Sequence, residues 1–198
     1  MAAFIWDLDG TLIDSYDVFL TALSETFSNF NLPFERTQVY QFIKKYSVNE
    51  LLKTQPVDFD LIKSSFTEKT TARNDEIKLM EGAKAILDWT KSQEIENFIY
   101  THKGKNAHQL LEQRSISDYF TEVITSEYGF PRKPNPAGVD YLLEKYKLDK
   151  SKTYYIGDRQ LDIEVAHNSG IQSINFIKAE KSQKIEKLMD IIGFWEGK

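Results

Sequence analysis

The sequence predicts an α/β protein built on a doubly wound, Rossmann-like parallel sheet with an inserted α-helical domain. Short apolar runs alternate with helical patterns along most of the chain, which is typical of a parallel sheet covered by helices. One long block after the first apolar run shows helical periodicity alone. The length of 198 residues suits one α/β domain with a modest insertion, or two small domains.

The first element is a strand predicted over residues 2–6, which are all apolar and precede Asp7. Such a run suits a strand buried on both faces. Helices are then expected over residues 15–30 and 37–46, with a third opened by the capping-box pattern Ser47-Val48-Asn49-Glu50 and a fourth capped by Asp58. We therefore expect a sheet core over residues 1–14 and 79–198, and a helical cap over residues 15–78 inserted after the first strand.

The remaining chain alternates between the two kinds of element. Strands are predicted over residues 97–101, 122–125, 153–156 and 172–177, the last of these closing the sheet, and helices over 81–93, 107–114, 136–147, 160–168 and from about 181. Pro136 suits the first turn of its helix, and Gly170 suits a helix end.

Composition and charge exclude several classes of protein. The chain has no cysteine, which rules out disulfide frameworks, thiolate metal sites and a cysteine nucleophile. A net charge of −5 argues against nucleic acid as a partner bound along its phosphates. No apolar run approaches the length of a membrane span, and the first run is too short for a signal peptide. We expect a cytoplasmic protein without a membrane partner, either a monomer or a homodimer.

Polar groups cluster where the predicted strands end. Because ligands of doubly wound sheets bind at the carboxyl ends of the strands, these groups are expected to meet at one edge. The segments concerned are Asp7-Leu8-Asp9-Gly10-Thr11-Leu12, Thr101-His102, Arg132-Lys133-Pro134-Asn135-Pro136, and Gly157-Asp158 with Asp162 four residues further on.

Several carboxylates brought together repel one another unless a cation lies among them, and oxygen ligands suit Mg²⁺. A carboxylate can also attack phosphorus directly to form an aspartyl-phosphate. A metal ion and a lysine would relieve the repulsion between that carboxylate and an anionic phosphate. The segments therefore indicate phosphoryl transfer.

In this order, the four segments resemble the four motifs of the haloacid dehalogenase-like hydrolase superfamily, and most closely its phosphoglycolate-phosphatase-like branch with a small helical cap. The resemblance implies that Asp7 is the nucleophile and Asp9 the general acid and base. It implies metal ligands at Asp7, Asp158 and the Asp9 backbone carbonyl. The other implied roles are phosphate binding by Thr101 and Lys133, support of the first loop by Thr11, and support of Lys133 or a metal-bound water by Asp162.

Two positions depart from the pattern of the superfamily. His102 stands where asparagine is common, and Arg159 stands where serine or threonine is common; both are candidate substrate contacts. In the helical block, Lys44-Lys45-Tyr46-Ser47 is a candidate for reading the substrate, although a solvated turn is the simpler interpretation. His108 and His167 fall in predicted helices and are interpreted as structural or surface residues.

The resemblance implies a Mg²⁺-dependent phosphatase acting on a small phosphorylated metabolite. Three alternatives stay open at this point. A phosphosugar mutase would use the same motifs, and a regulatory or binding protein could keep the fold without turnover. A haloacid dehalogenase would also use an aspartate nucleophile, but that branch has no acid at the position of Asp9.

Overall fold

The computed structural model describes residues 2–196, so the predicted domain limits at residues 1, 197 and 198 lie outside the described residues. The chain divides into two compact units. One comprises Met1–Ile13 with Leu79–Lys198, and the other comprises Asp14–Lys78. Each unit has its own cluster of buried apolar side chains.

The first unit is built on a six-stranded sheet in which the described strand pairs are all parallel. Its strands are β1 (Ala3–Trp6), β4 (Glu96–Tyr100), β5 (Glu122–Ile124), β6 (Thr153–Gly157), β7 (Gln172–Asn175) and β8 (Ser182–Lys184), in the spatial order β5-β4-β1-β6-β7-β8. Every side chain of β1 is buried, as the apolar run predicts. The α/β parallel-sheet prediction is confirmed.

Four helices connect strands in the described part of this unit, and a fifth follows β8. The connecting helices are α5 (Ala83–Ser92), α6 (Asn106–Gln113), α7 (Ala137–Tyr146) and α8 (Gln160–Ser169), the fifth is α9 (Asp190–Glu196), and short 3-10 turns lie at Ser117–Tyr119, Ser126–Tyr128 and Lys150–Lys152. Pro136 precedes the first turn of α7, and Gly170 ends α8 with a φ of 74°. That left-handed conformation favours glycine.

The second unit contains the helices α1 (Tyr16–Asn29), α2 (Arg36–Lys45), α3 (Val48–Lys53) and α4 (Phe59–Thr71), followed by a 3-10 turn at Asn74–Glu76. Their apolar faces form a common cluster that includes Leu23, Leu52 and Ile62. Ser47 caps α3 by accepting a hydrogen bond from the Glu50 backbone N–H, and Asp58 caps α4 in the same way through the Leu61 N–H.

The chain enters and leaves this unit through a two-stranded sheet of β2 (Ile13–Asp14) and β3 (Lys78–Leu79). The sequence gives no strand signal here, because each strand is only two residues long. Within the described residues, no helix is both long enough and apolar enough to cross a membrane.

The prediction of a helix from about residue 181, after a last strand ending at 177, is wrong. Residues 182–184 instead form the edge strand β8, which pairs with β7. The helix starts only at Asp190, whose carboxylate accepts the backbone N–H groups of Glu186 and Lys187. The polar run through 181–184 hides this strand, since an edge strand can carry charged side chains on exposed positions.

Candidate active site

The centre of the site is the end of β1, the strand that lies between β4 and β6. Asp7 follows β1 directly, and its backbone N–H donates to the Ile156 carbonyl at 2.8 Å. The chain then turns sharply, and the Leu8 carbonyl accepts the N–H groups of Thr11, Leu12 and Ile13. Gly10 has a φ of 78°, which most other residues adopt only at a cost. The turn therefore fixes a buried carboxylate at the carboxyl edge of the sheet.

Lys133 joins the end of this strand to strand β6 and to helix α8 through its ammonium group. Its Nζ donates to Asp7 Oδ1 at 2.8 Å, to Asp162 Oδ1 at 2.7 Å and to the Tyr155 hydroxyl at 2.9 Å. The side chains of Lys133 and Asp162 are fully buried, and that of Asp7 is 3% exposed. Because a buried charge needs partners, this arrangement pairs one ammonium with two carboxylates at once.

Burial and the nearby carboxylates determine the protonation states of Lys133 and Tyr155. Burial alone would lower the pKa of Lys133, but the Asp162 and Asp7 carboxylates outweigh burial and raise that pKa above its ordinary value. Burial raises the pKa of Tyr155 well above its ordinary range, and the nearby carboxylates add to the effect. Lys133 is therefore a cation, and Tyr155 a neutral phenol that donates to the Tyr100 carbonyl at 2.8 Å.

Asp162 lies in the first turn of α8, and each of its two carboxylate oxygens accepts hydrogen bonds. Its Oδ2 accepts the backbone N–H groups of Asp158 at 3.3 Å and Arg159 at 3.1 Å, while its Oδ1 accepts Lys133. Gly157 makes this approach possible, because a Cβ there would lie 2.4 Å from the Asp162 Cβ. Asp162 thus links the end of β6 to Lys133.

Three buried carboxylates meet here and could hold a cation. Single oxygens of Asp7, Asp158 and Asp162 all lie within 4.8 Å of one another. Both Asp162 oxygens already accept hydrogen bonds from protein groups, whereas Asp7 Oδ2 is buried and has no hydrogen-bond partner in the described part of the chain. An unpartnered carboxylate oxygen beside a second buried acid fits a bound divalent cation.

Asp9 is placed differently from Asp7. Its Oδ1 accepts a hydrogen bond from Lys103 Nζ at 2.9 Å, and the two side chains are 20% and 8% exposed. Sequence reasoning missed Lys103. The available signal was its position two residues after Thr101, beside the same edge of the sheet.

The two threonines of the predicted site are both buried. The Thr101 Oγ1 accepts the Lys103 backbone N–H at 3.1 Å, which leaves its hydroxyl hydrogen available to donate. The Thr11 hydroxyl has no hydrogen-bond partner among the described residues, so only the backbone of Thr11 takes part in the turn.

His102 has a contact that the sequence does not suggest. Its Nε2 accepts the Lys133 backbone N–H at 2.8 Å, so this ring nitrogen supports the Lys133 backbone. Burial, with Lys133, Arg132 and Arg159 nearby, lowers the pKa of His102 to about 2. Arg159 is half-buried, and its charge acts on His102, Lys133 and Asp162. The positive group expected at this position is therefore close to the carboxylate cluster.

The remaining candidates are two histidines of the sheet unit and two lysines of the helical unit. His108 and His167 are exposed, and the His167 Nε2 is 2.9 Å from the Lys181 carbonyl oxygen. Lys44 and Lys45 form the last turn of α2 rather than a loop, and Lys44 Nζ lies 4.6 Å from the centre of the Tyr16 ring.

Comparison with known proteins gives the class to which this fold and site belong. The profile of the haloacid dehalogenase-like hydrolases matches residues 4–176, which include most of β1, both acids after it, Lys133 and the Gly157 to Asp162 segment. The chain belongs to the haloacid dehalogenase-like hydrolase family, and the resemblance seen in its motifs is confirmed.

Individual relatives share about a quarter to a third of their residues with this chain. The chain is 25% identical over 200 residues to the pyrophosphatase PpaX of Oceanobacillus iheyensis, covering 95% of this chain and 94% of that protein. It is 26% identical to a phosphoglycolate phosphatase of Vibrio parahaemolyticus, covering 85% and 80% of the two chains. A crystal structure of a hydrolase from Streptococcus pneumoniae TIGR4 is similar with a TM-score of 0.69 and 31% identity, covering 97% of this chain and 98% of that one.

Proposed function

We propose that this protein is a Mg²⁺-dependent phosphatase that hydrolyses a small-molecule phosphate monoester through an aspartyl-phosphate on Asp7. The observation that carries the proposal is the pairing of Asp7 with Lys133 at 2.8 Å while the second Asp7 oxygen has no hydrogen-bond partner among the described residues. The names of the relatives, a pyrophosphatase and a phosphoglycolate phosphatase, support phosphate chemistry.

The residues present fit a magnesium ion. Asp7 and Asp158 would hold it with their carboxylates, and Asp9 with its backbone carbonyl, since the Asp9 carboxylate points to Lys103. When bound, the ion would offset negative charge between the phosphate and these acids. Asp162 is better suited to holding Lys133, because both of its oxygens already accept hydrogen bonds.

The first step follows from the geometry of Asp7. An Asp7 oxygen attacks phosphorus, the bond from phosphorus to the ester oxygen breaks, and Asp9 gives its proton to that leaving oxygen. The Thr101 hydroxyl holds one phosphoryl oxygen, and Lys133 holds another by turning the N–H that donates to Tyr155 toward it. Lys133 keeps its contact with Asp162 throughout, so its ammonium stays at the position of the reaction.

The second step returns the enzyme to its starting state. The Asp9 carboxylate takes a proton from water, the water oxygen attacks phosphorus, and the bond from phosphorus to Asp7 breaks. Inorganic phosphate leaves and both acids regain their original protonation states.

We further propose that the helical unit is a cap. The chain passes between this unit and the sheet unit at the two short strands β2 and β3, a connection that suits opening to admit substrate and closing to exclude water.

The first test is phosphate release from phosphoglycolate, pyrophosphate, sugar phosphates, nucleotides and 4-nitrophenyl phosphate, each with Mg²⁺ and with chelator. We expect Mg²⁺-dependent release that Asp7→Asn abolishes and that the exposed control Asp60→Asn leaves intact. A radiolabelled substrate should leave hydroxylamine-labile phosphate on the wild-type protein and none on Asp7→Asn. Release that survives in Asp7→Asn would contradict the mechanism. Conversion of a sugar phosphate to its isomer without release would indicate a mutase.

A further inference from the structure

His102 is fixed between two groups of the site. Its Nε2 accepts the Lys133 backbone N–H at 2.8 Å, and its ring meets the Tyr100 ring edge to face, with centres 6.0 Å apart and planes at 88°. The ring therefore connects the end of β4 to the loop that carries Lys133, which comes 31 residues later in the chain.

The direction of this hydrogen bond determines the state of the imidazole. The backbone N–H is the donor, so Nε2 carries no hydrogen and the ring proton is on Nδ1. A doubly protonated ring could not accept the bond. Burial and the nearby cations lower the pKa of His102 to about 2, so the imidazole stays neutral over the range in which enzymes are assayed.

Lys133 is consequently held at both ends. Asp7, Asp162 and Tyr155 hold its ammonium, and His102 holds its backbone. A lysine side chain has four rotatable bonds and loses much conformational freedom when its end is fixed. Fixing the backbone as well sets where the ammonium lies relative to Asp7.

We propose that His102 is a positioning residue, which through its unprotonated Nε2 holds the Lys133 backbone at the place from which the ammonium reaches both Asp7 and the phosphoryl group. This inference rests on the proposed function, in which Lys133 contacts the reacting phosphate. It assigns His102 to the catalytic arrangement and gives it no contact with substrate.

Two substitutions distinguish the effect of the Nε2 hydrogen-bond acceptor from the effect of the aromatic ring. His102→Phe keeps an aromatic ring and removes the acceptor, while His102→Gln places an amide oxygen close to the position of Nε2. We expect kcat to fall about 100-fold in His102→Phe, as a misplaced catalytic group can cause. In His102→Gln it should recover to within about tenfold of the wild type. The exposed His108, changed to Phe, is the matched control and should leave kcat unchanged.

A measurement on the unmodified protein does not depend on activity or on how the variants fold. The ¹⁵N spectrum of His102 should show an Nε2 without hydrogen and a protonated Nδ1, and the Lys133 amide should be protected from hydrogen exchange. A proton on Nε2, or rapid exchange at Lys133, would overturn the inference.

The outcomes also separate this inference from the proposed function. A wild-type protein that releases phosphate, together with a folded His102→Phe variant of equal kcat, would overturn the role of His102 alone. A folded His102→Gln variant whose kcat is no higher than that of His102→Phe would also overturn the role of His102. A wild-type protein that hydrolyses none of the substrates would overturn the proposed function and, with it, the catalytic part of this inference.

Discussion

At the scale of single residues, the site depends on which cation meets which acid. Lys133 contacts Asp7 and Asp162, and Lys103 contacts Asp9. The two proposed catalytic acids therefore have different lysine partners, although they are two positions apart in the chain. The proposed nucleophile Asp7 is thus positioned by Lys133, and the proposed acid and base Asp9 is positioned by Lys103.

The contact with Lys103 predicts a dependence on the leaving group. Lys103→Met removes the group that orients the Asp9 carboxylate, so proton transfer to the leaving oxygen should suffer. We expect kcat to fall about 10- to 100-fold for an alkyl phosphate and much less for 4-nitrophenyl phosphate, whose leaving group needs little protonation. Steady-state kinetics with both substrates measure this difference. Equal losses would count against the role, and the exposed Lys105, changed to Met, provides the control.

The neutral His102 predicts a specific effect of pH on stability. Its pKa is about 2 in the folded protein against 6.5 ordinarily, so below pH 6.5 the unfolded chain binds a proton that the folded chain does not. Stability is therefore lost as the pH falls from 6.5 toward 2. Between pH 7 and pH 5, the wild type should lose about 2 kcal/mol more unfolding free energy than His102→Gln.

Urea denaturation of both proteins at the two pH values measures this difference. The carboxylates shared by the two proteins contribute equally and cancel in the comparison. Parallel pH dependence in wild type and His102→Gln would show that His102 is charged when folded, against the hydrogen bond from Lys133.

The sequence predicts the site residues better than their contacts. Asp7, Thr101 and Asp158 were expected together because each follows a strand of a parallel sheet, and the structure places all three at that edge. Tyr155 lies within an apolar run and gave no sign of its hydroxyl bond to Lys133. Such contacts depend on how side chains from separate strands reach one another, which motif spacing does not specify.

At the scale of elements, the approach of α8 to the end of β6 decides where Asp162 lies. A Cβ on Gly157 would come within 2.5 Å of three Asp162 side-chain atoms, so one of the two elements would have to move. Gly157→Ala should lower the unfolding free energy by about 1–3 kcal/mol and reduce kcat, because Asp162 holds Lys133.

Denaturation and phosphate-release assays test this prediction together. Gly193→Ala is the matched control, since a Cβ there meets nothing within 4 Å and alanine favours the helix. A Gly157→Ala protein with unchanged stability and kcat would mean that α8 can shift without disturbing Lys133.

Element boundaries show where sequence patterns are weak. Helices such as α4 were predicted from a cap and an apolar spacing that both act locally. The edge strand β8 was missed because its Ser-Gln-Lys sequence has no alternation, and it forms only by pairing with β7. Caps and apolar spacing indicate elements that local interactions stabilise. A short edge strand is stabilised by the strand it pairs with, which the local sequence does not specify.

At the scale of the whole molecule, the two units have separate cores. The buried cluster around Leu23 and Leu52 lies entirely in the helical unit, and the cluster around Ile5 and Val139 lies entirely in the sheet unit. The first and last residues of the helical unit lie in the paired strands β2 and β3. Because neighbouring strands are about 4.8 Å apart, the two ends of the unit are close together. A short linker could therefore replace the unit.

We expect a protein in which a short Gly/Ser linker replaces residues 15–77 to keep its parallel sheet. It should still release phosphate from 4-nitrophenyl phosphate and should discriminate less among metabolites, if the helical unit acts as the cap. Circular dichroism, thermal melting and the same substrate panel test this. Retained discrimination would place specificity in the sheet unit, and an unfolded product would show that the sheet unit needs the helices.

The central position of β1 also has a consequence for how the protein is made. Ala3 pairs on one side with Glu96 and on the other with Thr153, so this most apolar strand is synthesised long before either neighbour exists. On the ribosome it must stay unpaired for many seconds at ordinary rates of translation. A product truncated before β6 would have Asp7 but neither the second neighbour of its strand nor Asp158 and Asp162. Catalytic competence would then arise only after the segment through Asp162 has been synthesised.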